Sequence, residues 1–197
     1  MPLNIIQSGS GSPFIRFSIE ENTWSISSEG GDLQPVNMSD LPVVFDVSNV
    51  QMGWLKLAGG RDWAPWPNNE PSQLARPSDA HSQGFSIKLF SSKLFGDEPV
   101  RELCTSQIGM MDFIKNLYDE CERSPEFKTK VPAIVLGDAP KRKLGRGSTR
   151  TPSFTIKAWV KRPTELAEEG SPVPSSPAAV GDSQPAAKSD DDISFEI

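Results

Sequence analysis

Seven short stretches of this chain carry strand signals, and only one repeats its apolar residues at helical spacing. Strand patterns fall at 14–19, 23–27, 43–47, 50–57, 84–91, 132–136 and 153–161. The helical stretch is 106–123. There Met110, Ile114, Leu117 and Cys121 share one face, and Met111, Phe113 and Tyr118 widen it. Ser106 is the expected N-cap, and Ser124-Pro125 ends the run. Several strands, one helix and two further strands predict a mainly β protein, a small Greek-key barrel with one helix. The helix falls between strands 84–91 and 132–136. That order is compatible with the five-stranded oligonucleotide-binding (OB) barrel, whose helix lies between its third and fourth strands.

Eighteen prolines and fifteen glycines divide the chain unevenly. Residues 1–12 read as a flexible lead-in, 13–164 as the folded domain, and 165–197 as a disordered linker with an acidic tip. Residues 28–42, 58–83 and 137–152 read as loops, the second of a length that is usually either functional or disordered. No run reaches the ~18 apolar residues of a membrane helix, and residues 1–14 lack the pattern of a secretory signal.

The formal net charge of −6 conceals a strong segregation. Residues 1–127 carry −8, residues 128–162 carry +9, and residues 163–197 carry −7. Screening makes the local field matter more than the total. The basic band, with Lys141, Arg142, Lys143, Arg146 and Arg150 in its loop, is therefore a candidate anion-binding surface. No P-loop pattern is present.

Alternation within three strands sharpens this. Opposite the apolar rows stand Trp54 with Lys56, Lys88 with Phe90, and Lys157 and Lys161 with Trp159. Aromatic rings and lysines on one surface suit single-stranded nucleic acid, whose bases stack and whose phosphates attract cations. The same rings could instead fill a second core. Arg61, Trp63 and Trp66 in the long loop join the candidates, although both tryptophans could simply pack on neighbouring prolines.

Two cysteines without a CxxC pair and a single histidine give no zinc-site pattern, and no metal or cofactor is expected. Cys121 is expected buried and reduced, His81 exposed in a polar loop. Without a nucleophile elbow or ligand cluster, an enzyme is not expected.

The chain ends SDDDISFEI. Asp190, Asp191, Asp192, Ile193 and Phe195, after a Pro/Ser/Ala linker, resemble the acidic tip of single-stranded DNA-binding proteins of bacteria and their phages, commonly Asp-Asp-Asp-Ile-Pro-Phe. Ser194 stands in the proline position, and Glu196 and Ile197 follow the phenylalanine. The resemblance implies an OB-fold protein, of phage or prophage type, in the cytoplasm of a bacterial or infected cell. It would coat single-stranded DNA during replication, recombination or repair and recruit other replication or recombination proteins through the tip, with a second copy of itself as a further candidate partner. The alternatives are a non-enzymatic phage interaction module whose basic loop meets an acidic partner, and an RNA-binding protein.

Overall fold

In the computed structural model, the structure describes residues 13–27, 32–144 and 147–167. Twelve strands and two α-helices follow in order: β1 Phe14–Ser18, β2 Thr23–Ser27, β3 Leu33–Val36, β4 Val43–Phe45, β5 Gln51–Lys56, β6 Asp62–Pro65, β7 Ser82–Phe90, α1 Ser92–Phe95, β8 Val100–Thr105, α2 Ile108–Glu122, β9 Val131–Leu136, β10 Lys141–Leu144, β11 Gly147–Arg150 and β12 Phe154–Val160. Ten strands form one sheet, ordered β12-β9-β4-β7-β8-β1-β2-β3, with β5 paired to β7 and β6 to β5. All pairings are antiparallel except β1 with β8. β10 and β11 form a separate hairpin.

β7 is the hub. Its nine residues pair with β8 on one side, and with β5 and then β4 on the other. Phe85, Ile87 and Leu89 alternate onto the inner face and are fully buried, as the pattern predicts. The sheet curls into a half-barrel around α2. Among the described residues no ladder joins its two ends, β12 and β3.

α2 supplies the other half of the core. Met110, Phe113, Ile114, Leu117 and Cys121 are buried against Phe45, Phe85, Leu103 and Ile134 in one cluster. Each large side chain removed from water contributes about 1.5–3 kcal/mol. The helix begins one residue later than expected. Gln107, not Ser106, is the N-cap, and its backbone N–H donates to Thr105 Oγ1 at 3.2 Å. On the outer face Val44, Val131, Ala133 and Leu166 form a second, smaller cluster.

Five strands lie where the sequence reads as loop or carries no signal. β8 (VRELCT) contains Arg101 and Glu102, which hide its strand character; Arg101 is buried and paired to Glu98 at 3.0 Å. β3 carries Pro35, tolerated because β3 is an edge strand. β6 lies in the long loop 58–83, and the hairpin β10–β11 in the basic loop 137–152. The folded chain also runs past 164. Thr164–Leu166 is a 3-10 turn that buries Leu166, so the expected linker boundary at 165 is too early. Among the described residues no helix is long and apolar enough to cross a membrane.

Candidate nucleic-acid interface

β12 pairs with β9 in a register that slips between Ile156 and Ala158. The ladder aligns Ile156 with Ile134 and Ala158 with Ala133, which leaves Lys157 as a bulged extra residue. A bulge inverts the alternation beyond it. Trp159 therefore falls on the same side as Phe154 and Ile156, packed on the margin of the main core, and Ala158 turns to solvent. This corrects the expected face of Thr155, Lys157, Trp159 and Lys161.

The flip gives Trp159 aromatic neighbours that the sequence pattern did not suggest. Its ring lies 6.3 Å from Phe127, and Phe127 lies 5.8 Å from Tyr118, edge-on. All three rings are half-buried, at the junction of β12, α2 and the 3-10 turn Pro125–Lys128. Around them the chain places exposed lysines. Val131 pairs with Val160, so Lys130 and Lys161 flank the same end of the β9–β12 pair. Lys128 adjoins Phe127, and Lys157 protrudes at the bulge. None of these four lysines forms an ion pair with a described residue. Burial, with the neighbouring Glu122, raises the Tyr118 hydroxyl above its ordinary range, so the ring stays neutral.

The other aromatic candidates do not join this surface. Trp54 packs edge-on against Trp66 at 5.3 Å and donates from Nε1 to Leu74 O at 3.0 Å. Trp66 is buried. Trp63 lies over Gly53, where a Cβ would stand 2.8 Å from its ring. Phe90 packs on the small outer cluster. The single wall expected from Trp54, Phe90 and Trp159 is therefore three separate settings. Lys56 is half-buried opposite Asp62, and Lys88 lies beside Glu102 in register. Arg61 grips both Glu102 oxygens, through Nη1 at 2.7 Å and through Nη2. Burial pushes the Glu102 carboxyl up. The hydrogen bonds from Arg61 and Ser86 and the charges of Arg61 and Lys88 outweigh this, and hold it below its ordinary range.

The basic hairpin docks on α2, not over the outer face of β5, β7 and β8. Thr149 is buried there, and a Cβ on Gly109 would stand 1.9 Å from Arg150 O. Arg150 is a structural tie: Nε donates to Ile19 O at 2.9 Å and Nη1 to Ala139 O at 2.8 Å. Arg142 donates to Asp112 at 2.7 Å and to Thr151 Oγ1 at 2.8 Å. Lys141 and Lys143 remain exposed without an ion pair to a described residue. Arg146 and the tail residues Asp190, Asp191, Asp192, Ile193 and Phe195 lie outside the described residues.

His81 is buried, contrary to expectation. Its Nδ1 meets Ser78 Oγ at 2.8 Å and its Nε2 meets Asp62 Oδ2 at 3.2 Å. Arg76 caps the same turn by donating to His81 O at 2.7 Å. The ring thus pins the loop before β7 onto β6. Cys121 is fully buried on α2 as its stripe position predicts. Burial pushes the Cys104 thiol up to about 11 and the Cys121 thiol to about 12. Among the described residues no group of His, Cys, Asp and Glu is arranged to hold a metal.

Comparison with protein families finds no matching family model, and no curated protein and no solved structure matches the chain.

Proposed function

We propose that this chain binds and shields single-stranded DNA during replication, recombination or repair, and that its acidic C-terminal segment recruits partner proteins. The observation that carries the reading is the half-buried Tyr118–Phe127–Trp159 row set among Lys128, Lys130, Lys157 and Lys161. Rings of this kind accept bases, at ~1–3 kcal/mol each, and unpaired lysines accept the phosphates. Lys141 and Lys143 extend the basic surface. The same proposal assigns the curled sheet to an elaborated form of the OB barrel. Its support is the position of α2, after the β7–β8 pair and before β9.

The test is a titration of the tryptophan fluorescence with oligo-dT at several salt concentrations. Six exposed lysines set an upper bound of about −4 on the slope of log K against log salt, at ~0.7 per phosphate neutralised on a single strand. Replacing Lys157 and Lys161 by alanine leaves the core untouched and should shallow that slope by about 0.7 per lysine that meets a phosphate. Trp159→Ala should weaken binding about 5- to 150-fold, with Trp159→Phe close to wild type. A folded Trp159→Ala protein with wild-type affinity, or equal competition by duplex DNA, by RNA or by an acidic protein, would overturn the reading.

A further inference from the structure

The outer face of the sheet carries a second polar feature, away from the Trp159 surface. A groove of about 490 Å³ lies over Ser86, Lys88 and Glu102. Trp66 and the turn at Val47–Asn49 border it, and Arg162 and Leu166 close its far side. Lys88 and Glu102 face this groove because Ile87, Leu89 and Leu103 alternate inward.

Its two acids are fully engaged. Asp46, almost wholly buried, accepts from Arg162 Nη2 at 2.7 Å and from Asn49 Nδ2 at 2.9 Å. Glu102 accepts from Arg61 and from Ser86 Oγ. The donors are not. Lys88 forms no ion pair with a described residue. Arg162 Nε is buried without a hydrogen-bond partner, and so is the Nε1 of Trp66, a side chain only 4% exposed. Buried polar atoms ordinarily find partners, and each exception calls for a cause. Here the two unpartnered N–H groups belong to side chains that line the groove, and Lys88, in register beside Glu102, adds an ammonium without an ion pair to a described residue. Acceptors are missing, not donors.

We propose that this groove is a phosphate-binding site, with Lys88 and Arg162 as its cationic residues. A phosphate offers several acceptor oxygens to donors arriving from different elements, among them the unpartnered Nε–H of a guanidinium already anchored by Asp46. The phosphate can belong to a free nucleotide or to the backbone of a bound strand. The site does not depend on the Trp159 surface, which lies across the sheet.

The experiment uses the full chain, labelled with ¹⁵N, titrated at constant ionic strength with inorganic phosphate, with dTMP, with oligo-dT and with acetate. Either phosphate compound should give saturable shifts at the Trp66 indole N–H, the Arg162 Nε–H and the amides of Asn49 and Lys88, and acetate should give none. Lys88→Met should weaken phosphate binding at least fivefold at an unchanged unfolding midpoint. Oligo-dT shifts at the same signals, lost in Lys88→Met, identify a strand phosphate as the source; dTMP shifts alone identify a free nucleotide. No saturable shift with phosphate or dTMP, equal shifts with acetate, or unchanged affinity in folded Lys88→Met would overturn the proposal. In each of those outcomes oligo-dT quenching that depends on Trp159 and Lys157 would stand, so the two readings fail separately.

Discussion

Gly109→Ala is the sharpest probe of how the basic hairpin is held. Gly109 is the second residue of α2, and the hairpin backbone runs directly over it. A Cβ there would lie 1.9 Å from Arg150 O, 2.6 Å from Thr149 Oγ1 and 2.7 Å from Arg150 C. Two of the three atoms are backbone, so no side-chain rotation relieves the overlap. Restoring ordinary contact at ~3.5 Å requires the hairpin to move by more than about 1 Å. Overpacking of this kind costs about 1–3 kcal/mol. Replacing glycine by alanine in a helix returns at most ~1 kcal/mol. Because the overlap is with backbone, the upper half of that range applies, and the net expectation is a loss of about 1–2 kcal/mol. That corresponds to a fall in melting temperature of roughly 2–8 °C for a chain of this size. Urea unfolding followed by tryptophan fluorescence should show it as a lower midpoint with the same slope. Tryptic cleavage at Lys141, Arg142, Lys143 and Arg150 should accelerate as the hairpin lifts. A variant as stable as wild type, with unchanged cleavage, would mean that the hairpin does not rest on α2.

Arg150→Met should cost about 2–3 kcal/mol, because two part-buried carbonyls, Ile19 O and Ala139 O, lose a charged donor; Arg150→Lys should recover less than half, since one ammonium cannot reproduce the guanidinium fork, and a loss under ~0.5 kcal/mol in the same urea assay would refute the tie. Glu102 has a folded pKa below its ordinary value. Its contribution is therefore complete above the unfolded pKa and disappears as pH falls through the folded one. The loss of stability between neutral and acid pH should be smaller in Glu102→Gln, and identical acid profiles for the two proteins would contradict this. The cysteines shift the other way, from 9.0 to about 11 and about 12. Both thiols should resist alkylation in the folded protein at pH 8, and their contribution to stability should fade only as pH rises from about 9 through these values. Rapid labelling under native conditions would show that burial is not what protects them.

Local periodicity alone determined a good part of this protein. The stripe Met110, Phe113, Ile114, Leu117, Cys121 is the buried face of α2, and Phe85, Ile87 and Leu89 line the core as their alternation predicts. The excess of basic residues over 128–162 is likewise a property of composition. Lys141 and Lys143 lie in that band and stay exposed, with no ion pair to a described residue.

Only the tertiary structure decided the rest, because pairing across a sheet is non-local. β8 has no apolar alternation strong enough to offset Arg101 and Glu102, and it becomes a strand because β7 and β1 supply its ladders. Arg150 looks like its basic neighbours but is held by carbonyls that lie 131 and 11 residues away. Trp159 changed sides because the register with β9 places one extra residue, Lys157, between Ile156 and Ala158. A strand's own residues state which side chains alternate, but the partner strand's hydrogen bonds set where the alternation breaks. The row of Phe127, Tyr118 and Trp159 comes from three separate elements and exists only once that register is chosen.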